Sequence, residues 1–256
     1  MELYREVAGE SILLAGGGRA LLLQLAHPSV ARGVAEHSRF AEDPTRRLVG
    51  TVDYLYTLAF GTEEQIARAA RRVGGAHRGV RSESGPHSYD ARDSDLQLWV
   101  AATLYDSTIV MYELAWGPLP EHAAEIVYRR SARIGTALGM PADRWPATRA
   151  AFAEYWDERI ATIEVTPVAR RVARELLRPA RPQPWLRPVL PLARVVTAGL
   201  LPPRIRSGYG IRWTDRREAL YRSRLGGLLR VYRALPRIVR TAPAATSRRG
   251  RETLAG

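Results

Sequence analysis

Apolar side chains recur every three or four residues along most of the chain, whereas the apolar–polar alternation typical of strands is almost absent. Within residues 19–36, leucines at this spacing are interrupted by Pro28, after which the apolar pattern resumes. This segment predicts a buried helix with a break. The pattern as a whole predicts an all-α fold.

Helix-terminal residues mark two further helices. Asp43 or Thr45 is suited to cap a helix that has Pro44 in its first turn and ends at Gly61. Thr62 then caps a third helix, whose first turn carries two glutamates that favour the positive end of the helix dipole.

A loop rich in serine, glycine and proline separates these helices from a long apolar helix over about 95–114. Helical spacing then recurs over four more stretches, at about 120–138, 143–163, 165–178 and 214–240. The apolar stretch 185–201 is too short, and too interrupted by prolines and arginines, to span a bilayer.

The length of 256 residues and the 46% hydrophobic composition are those of a folded globular protein. We expect one domain over residues 1–241, because no internal repeat or domain linker divides it. Small and charged residues replace the apolar pattern over residues 242–256, which are predicted to be a disordered tail. The chain does not open with a basic and then apolar leader, so we expect a cytoplasmic protein.

The net charge is +13, and all 39 basic residues are arginines. They are scattered along the chain and accompany no zinc-finger, RNP or helix-turn-helix pattern, so we do not expect specific nucleic-acid binding. Attraction to an anionic membrane or an anionic cofactor explains the charge equally well. In the basic segment 216–240, leucines lie among arginines, which leaves peripheral membrane contact open beside ordinary packing against the helices.

The chain has no cysteine, which excludes disulfides, thiolate-bound iron or zinc, and covalently attached c-type haem. The histidines that could bind a metal are His27, His37, His77, His87 and His122. They form no Glu-x-x-His pair of the di-iron type and no His-x-x-x-His zinc pair. Spacing alone does not choose among the five.

Arg47 and Thr51 lie four positions apart, on one face of the second predicted helix. Taken alone, this pair is a surface arginine and a helix threonine, and His77 is a histidine near a helix end.

An ordered set of motifs gives these residues a context. The chain reads, in order, LLLQLAHPSVARGVAEHSRFAEDPTRRLVGT, LAFG, AHRGVRS, DLQLWVAATLYDS, LPPRIRSGYGIRW and LPRIVRTAP. The set resembles the MpaB-type oxygenase family, which is related to the latex-clearing (rubber) oxygenases, and the resemblance covers roughly residues 8–242.

The resemblance implies a single helical domain with a globin-like core that encloses a non-covalent haem b. It implies that His77 is the one proximal iron ligand and that Arg47 and Thr51 lie beside the haem. His27 resembles the histidine of the family's His-Pro pair. Two interpretations stay open: a pocket histidine on the oxygen side, or a hydrogen-bonded residue that stabilises the Pro28 break. The chemistry is suitable, since a neutral imidazole binds iron and a planar guanidinium binds a propionate.

Two positions depart from the family pattern. Gly50 replaces a lysine of the latex-clearing proteins, so a lysine-capped distal site is not available. Ala101 stands where many relatives have a histidine, which puts in doubt any reaction that needs a second imidazole there. The adjacent residues Glu36 and His37 follow the His-Pro pair by about two helical turns. His37 is expected to be structural, and Glu36 is a candidate pocket base.

The leading hypothesis is a haem b-dependent oxygenase, an oxidoreductase that activates dioxygen at iron held by His77. Its expected substrate is a small apolar molecule, with isoprenoid-like compounds as candidates. One alternative is a non-catalytic haem-binding or lipid-binding protein that has lost turnover. Another is a basic adaptor for membranes or nucleic acids. The sequence does not establish the oligomeric state.

Overall fold

The computed structural model describes residues 2–37, 44–84, 88–179, 184 and 187–253, and it describes their side chains except at 44–48 and 248–253. The helices are, in chain order, α1 (Glu2–Gly9), α2 (Gly17–Ala26), α3 (Pro28–His37), α4 (Pro44–Phe60), α5 (Glu63–His77), α6 (Ser94–Trp116), α7 (Glu121–Ser131), α8 (Arg133–Thr136), α9 (Arg149–Thr162), α10 (Pro167–Leu177), α11 (Leu190–Leu200), α12 (Pro203–Gly208), α13 (Asp215–Ala234), α14 (Arg237–Arg240) and α15 (Ala242–Thr253). Short 3-10 turns cover Ser11–Gly16 and Ala142–Arg144.

The all-α prediction is confirmed, and the strands in the described residues are minimal. They are β1 (Arg81–Ser82) and β2 (Tyr89–Asp90), an antiparallel pair in which Ser82 lies opposite Tyr89. The pair closes the loop between α5 and α6, which the sequence predicted as irregular.

The break within residues 19–36 lies where it was predicted. His27 adopts an extended backbone after α2, and Pro28 begins α3, where its missing N–H costs no hydrogen bond. The carbonyl of His27 accepts from the amide of Ala31 at 2.9 Å, which closes the first turn of α3.

Helices α4 and α5 form a tight antiparallel hairpin. The Thr62 side chain accepts from the amide of Gln65 at 3.3 Å, and the Gln65 side chain accepts from the amide of Thr62 at 3.0 Å. A Cβ at Gly61 would lie 2.5 Å from the carbonyl oxygen of Thr57, so the turn requires glycine. The α4 cap predicted at Asp43 lies outside the described residues, as does the side chain of Thr45.

The hydrophobic core surrounds α6. Its residue Trp99 is 1% exposed among residues of α2, α3 and α10, whereas Tyr105 packs with α4, α5 and α7. Met111 joins a third cluster with α11 and α13. One long apolar helix therefore contributes to every side of the core, which explains why its sequence is apolar around the whole circumference.

Two C-terminal segments differ from the sequence-based expectation. Helix α11 forms in the apolar stretch that prolines were expected to interrupt, because Pro191 lies in its first turn. No helix among the described residues is long and apolar enough to cross a membrane. The segment that was expected to be a disordered tail forms the alanine-rich α15, which contacts α4 and buries Ala244, while residues 254–256 lie outside the described residues.

Candidate functional site

One stripe of α4 faces the core. Tyr54 and Leu58 are each 5% exposed, and the Tyr54 hydroxyl donates to the carbonyl of Ile134 at 3.0 Å. Thr51 precedes Tyr54 by one turn on the same stripe and is half-buried. Position 47 precedes it by another turn, since the spacing 47, 51, 54, 58 is that of one helix face. Thr51 of the predicted pair therefore lies on the core-facing stripe, whereas the side chain of Arg47 is outside the described residues.

The facing stripe of α5 ends at the predicted iron ligand. Ile66 and Ala69 are each 5% exposed, and Val73 packs against the same cluster one turn later. His77 continues this spacing as the last residue of α5. Its side chain is half-buried, and its Nδ1 atom is buried.

The hairpin register places these two stripe ends at the same level. Arg72 of α5 donates to the carboxylate of Asp53 on α4 at 2.7 Å. His77 lies five residues beyond Arg72 along α5, and position 48 lies five residues before Asp53 along α4. Because the two helices are antiparallel and each rises by about 1.5 Å per residue, these two positions lie at the same level. His77 and Arg47 therefore belong to neighbouring turns at the open end of the hairpin. The ion pair is solvent-exposed, so it indicates the register rather than adding much stability.

The open end of the hairpin has space and positive charge. Among the described residues, no atom lies within 4 Å of a Cβ built at Gly50 or Gly74, each of which is three positions from a predicted ligand. Arg78 and Arg81 follow His77 and are exposed. A haem b needs one imidazole, room for a flat ring and cationic partners for its propionates. Of these, the described residues here supply the imidazole of His77 and the guanidinium groups of Arg78 and Arg81.

A free metal ion needs a different arrangement. Among the described residues, no three histidine, aspartate or glutamate side chains converge into a cluster that could hold one. A haem iron, by contrast, takes a single ligand from the protein when the sixth position is open, so one histidine is a sufficient protein donor set for haem.

A hydrogen-bonded group on α3 and β2 lies beside the chain that leaves His77. The Tyr89 hydroxyl donates to Glu36 at 2.6 Å, and Arg32 donates to the other carboxylate oxygen at 2.7 Å. The His37 ring packs edge-on against Tyr89, with centroids 5.6 Å apart. Sequence reasoning missed Tyr89, because Glu36 and Tyr89 are 53 residues apart and no local pattern joins them.

These contacts set the charge states of the group. The Tyr89 hydrogen bond, followed by the Arg32 hydrogen bond, holds the pKa of the Glu36 carboxyl below its ordinary value. Burial and the same hydrogen bond raise the pKa of Tyr89 to about 12. A carboxylate stabilised in this way is a weak base, so the geometry favours a supporting role for Glu36 over that of a pocket base.

His27 lines a cavity of about 430 Å³ between the β1–β2 turn and α6. Leu96 and Trp99 form its apolar wall, and the Trp99 ring stacks on Trp156 with centroids 5.6 Å apart. Among the described residues that line this cavity, neither His77 nor Thr51 occurs. The structure therefore does not place His27 in one cavity with these two residues, and its catalytic role stays a prediction.

Two acidic side chains that line this cavity, Asp90 and Asp93, have structural partners. Asp93 caps α6 by accepting from the amides of Asp95 and Leu96 at 2.8 and 3.1 Å. Asp90 binds the guanidinium of Arg92, whose hydrogen bond lowers the pKa of the Asp90 carboxyl. The carboxylates at the cavity mouth therefore hold the turn and the helix start in place.

The remaining sequence candidates are Ala101, His122 and His87. Ala101 is fully buried in the cluster that contains Tyr54, so an imidazole at this position would require repacking of the core. His122 is exposed on α7, and His87 lies outside the described residues.

The chain belongs to the family described as ER-bound oxygenase mpaB/B'/Rubber oxygenase, catalytic domain, which matches residues 4–235. Two relatives are each 35% identical over 226 residues, which cover 86% of this chain and 87% of the relative. They are the uncharacterized proteins Mb2261 of Mycobacterium bovis and Rv2237 of Mycobacterium tuberculosis. No solved structure matches the chain. The family predicted from the ordered motifs is thus confirmed, and the chain has an oxygenase-type catalytic domain.

Proposed function

We propose that the protein is a haem b-dependent oxygenase that uses His77 as the proximal iron ligand and oxidises a small apolar molecule with dioxygen. One observation carries the proposal: the core-facing stripes of α4 and α5 end together, and His77 is the last residue of one of them. Membership of an oxygenase family supports the reaction class.

Each residue at the hairpin end has a role in this proposal. His77 would hold the iron. Surrounding groups orient a ligating imidazole through the ring nitrogen that does not bind the metal, and the Nδ1 atom of His77 is buried. Arg47 and Thr51 supply a guanidinium and a hydroxyl for the haem or oxygen side, and the exposed Arg78 is suited to a propionate. When bound, the haem supplies the redox chemistry that activates dioxygen. Tyr54 and its apolar neighbours exclude water from this end of the core.

Titration of the purified protein with hemin tests the cofactor assignment. We expect a strong Soret band that saturates at one haem per chain. Oxygen uptake by the reconstituted protein, measured with polyisoprenoids and fatty alkenes, then tests the reaction class. A chain that folds but develops no Soret band above that of free hemin contradicts the proposal.

The buried Ala101 favours a second candidate function. A family histidine is replaced there by a methyl group inside the packed core, so the protein has no second imidazole at that place. A haem-binding or lipid-binding protein without turnover fits this replacement. A haem-binding protein of this kind gives a full Soret band without substrate-dependent oxygen uptake, and a lipid-binding one gives neither. The oxygenase gives both the band and the uptake.

A further inference from the structure

Helices α11 and α13 enclose an apolar groove of about 680 Å³ on the surface of the protein. Its walls include Leu192 and Val195 from α11 and Leu220, Leu228 and Val231 from α13. Leu220 is 41% exposed and Val231 is 64% exposed, so large apolar side chains of this groove contact solvent. Contiguous exposed apolar surface of this kind is typical of an interaction site.

The inner face of α13 is already anchored, so the outer face is not needed to fill the core. Leu225, Leu229 and Tyr232 are buried in the cluster that also contains Val196 of α11. Among the described residues, nothing occupies the space beside Gly227 on the groove wall, where a built Cβ meets no atom within 4 Å.

The sequence that forms the groove is strongly basic. From Arg187 to Arg240 the sequence has thirteen arginines, against Asp215 and Glu218 as the only acidic residues. Glu218 is engaged, because it accepts hydrogen bonds from Trp213 and Arg222.

Two of these arginines are available to an outside partner. Arg224 lines the groove and Arg230 lies next to Val231, and both are exposed. Neither has a carboxylate partner among the described residues. The groove is therefore apolar at its centre and cationic at its rim.

We propose that this face, the groove with Arg224 and Arg230, docks the protein on an anionic lipid bilayer. Exposed leucine and valine side chains would enter the interfacial region, while the arginines contact anionic headgroups. A second copy of the chain is a poorer occupant, because a two-fold contact places the same patch on both sides and brings the arginines of one copy against those of the other. The proposal does not depend on haem binding or turnover.

Vesicle flotation of the full-length protein tests the proposal. We use vesicles of phosphatidylcholine alone and vesicles of equal parts phosphatidylcholine and phosphatidylserine. The protein is expected to float with the anionic vesicles only, and added salt should release it. Leu220→Asp and the double variant Arg224→Gln/Arg230→Gln should each weaken binding about tenfold.

Leu3→Asp is the matched control, because Leu3 on α1 is 38% exposed, against 41% for Leu220. It should float like the unmodified protein, and near-UV circular dichroism establishes that every variant is folded. Equal loss of binding in Leu3→Asp and Leu220→Asp, or no flotation of the unmodified protein, overturns the proposal. Light scattering that shows a dimer which Leu220→Asp dissociates, without any vesicle binding, also overturns it and identifies the second copy as the occupant.

Discussion

The Tyr89 hydroxyl donates a 2.6 Å hydrogen bond to the Glu36 carboxylate and joins β2 to α3. Arg32 completes the group from the preceding turn of α3, through its own hydrogen bond to Glu36 and with its guanidinium 5.7 Å from the Tyr89 ring centroid. This group of contacts holds the β1–β2 pair, which follows His77 in the chain, against α3. It therefore braces the surroundings of the proposed iron ligand.

Replacing Tyr89 with phenylalanine should lower stability in a pH-dependent way. The pKa of Glu36 is lowered in the folded protein, so the carboxylate's contribution is present above its ordinary value of 4.5 and is lost as the pH falls through the lowered pKa. The pKa of Tyr89 is raised from 10.0 to about 12, so the phenol's contribution is lost as the pH rises through about 12. The difference in urea midpoint between the unmodified protein and Tyr89→Phe should be largest near neutral pH and should shrink in acid.

Tyr56→Phe is the control for this experiment. Tyr56 is also buried, but its hydroxyl has no hydrogen-bond partner among the described residues. Its removal should leave the urea midpoint unchanged or raise it, with no dependence on acid pH. A Tyr89→Phe midpoint difference that stays constant from neutral to acidic pH would contradict the assigned linkage.

Removal of Arg19 alone should destabilise the protein more than removal of its whole ion pair. Arg19 is 4% exposed and forms an ion pair with Asp106 at 2.5 Å. It also donates to the hydroxyl of Ser107 at 2.8 Å and to the carbonyl of Leu200 at 2.9 Å. Burial, partly offset by Arg19, raises the pKa of the Asp106 carboxyl, so an unpaired carboxylate there is costly. Arg19→Leu should cost about 3–5 kcal/mol, and the double variant Arg19→Leu/Asp106→Leu should cost less.

Urea unfolding of the two single variants and the double variant measures this coupling. If the double variant is as unstable as the sum of the two single variants, the two side chains are independent and the account of the buried pair is wrong.

Two glycines of the α11–α13 pair should respond in opposite ways to alanine. A Cβ at Gly199 would lie 2.1 Å from the Tyr221 ring, so Gly199→Ala should destabilise the protein by about 1–3 kcal/mol. A Cβ at Gly226 meets nothing within 4 Å, so Gly226→Ala should stabilise α13 by about 0.5–1 kcal/mol. Thermal melts of both variants check this pair of effects, and a similar shift for both would refute close packing at Gly199.

The sequence predicted those helix ends that are defined by a few neighbouring residues. Thr62 and Gly61 define the α4–α5 turn by capping and by close backbone contact, and Pro28 defines the break after α2. In α11, Pro191 was interpreted as an interruption although it lies in the first turn, where it is tolerated. A proline near the start of an apolar run therefore does not by itself exclude a helix.

Long-range contacts were not predictable in the same way. Strands β1 and β2 have two residues each, too few to show alternation, and Tyr89 finds Glu36 only after the chain has folded. The core-facing position of Thr51 and His77 required the hairpin register, which depends on the packing of two helices. The roles of His77, Thr51, Arg47 and His27 rest on the family resemblance and stay predictions.

Hemin titration of histidine variants tests the central claim most directly. His77→Gly should lose the Soret band of the reconstituted protein, and added imidazole should restore it by occupying the vacated position. His122→Gly removes an exposed histidine on α7 and should bind hemin like the unmodified protein. A Soret band that survives unchanged in folded His77→Gly, or that is lost equally in His122→Gly, would contradict the assignment of His77 as the iron ligand.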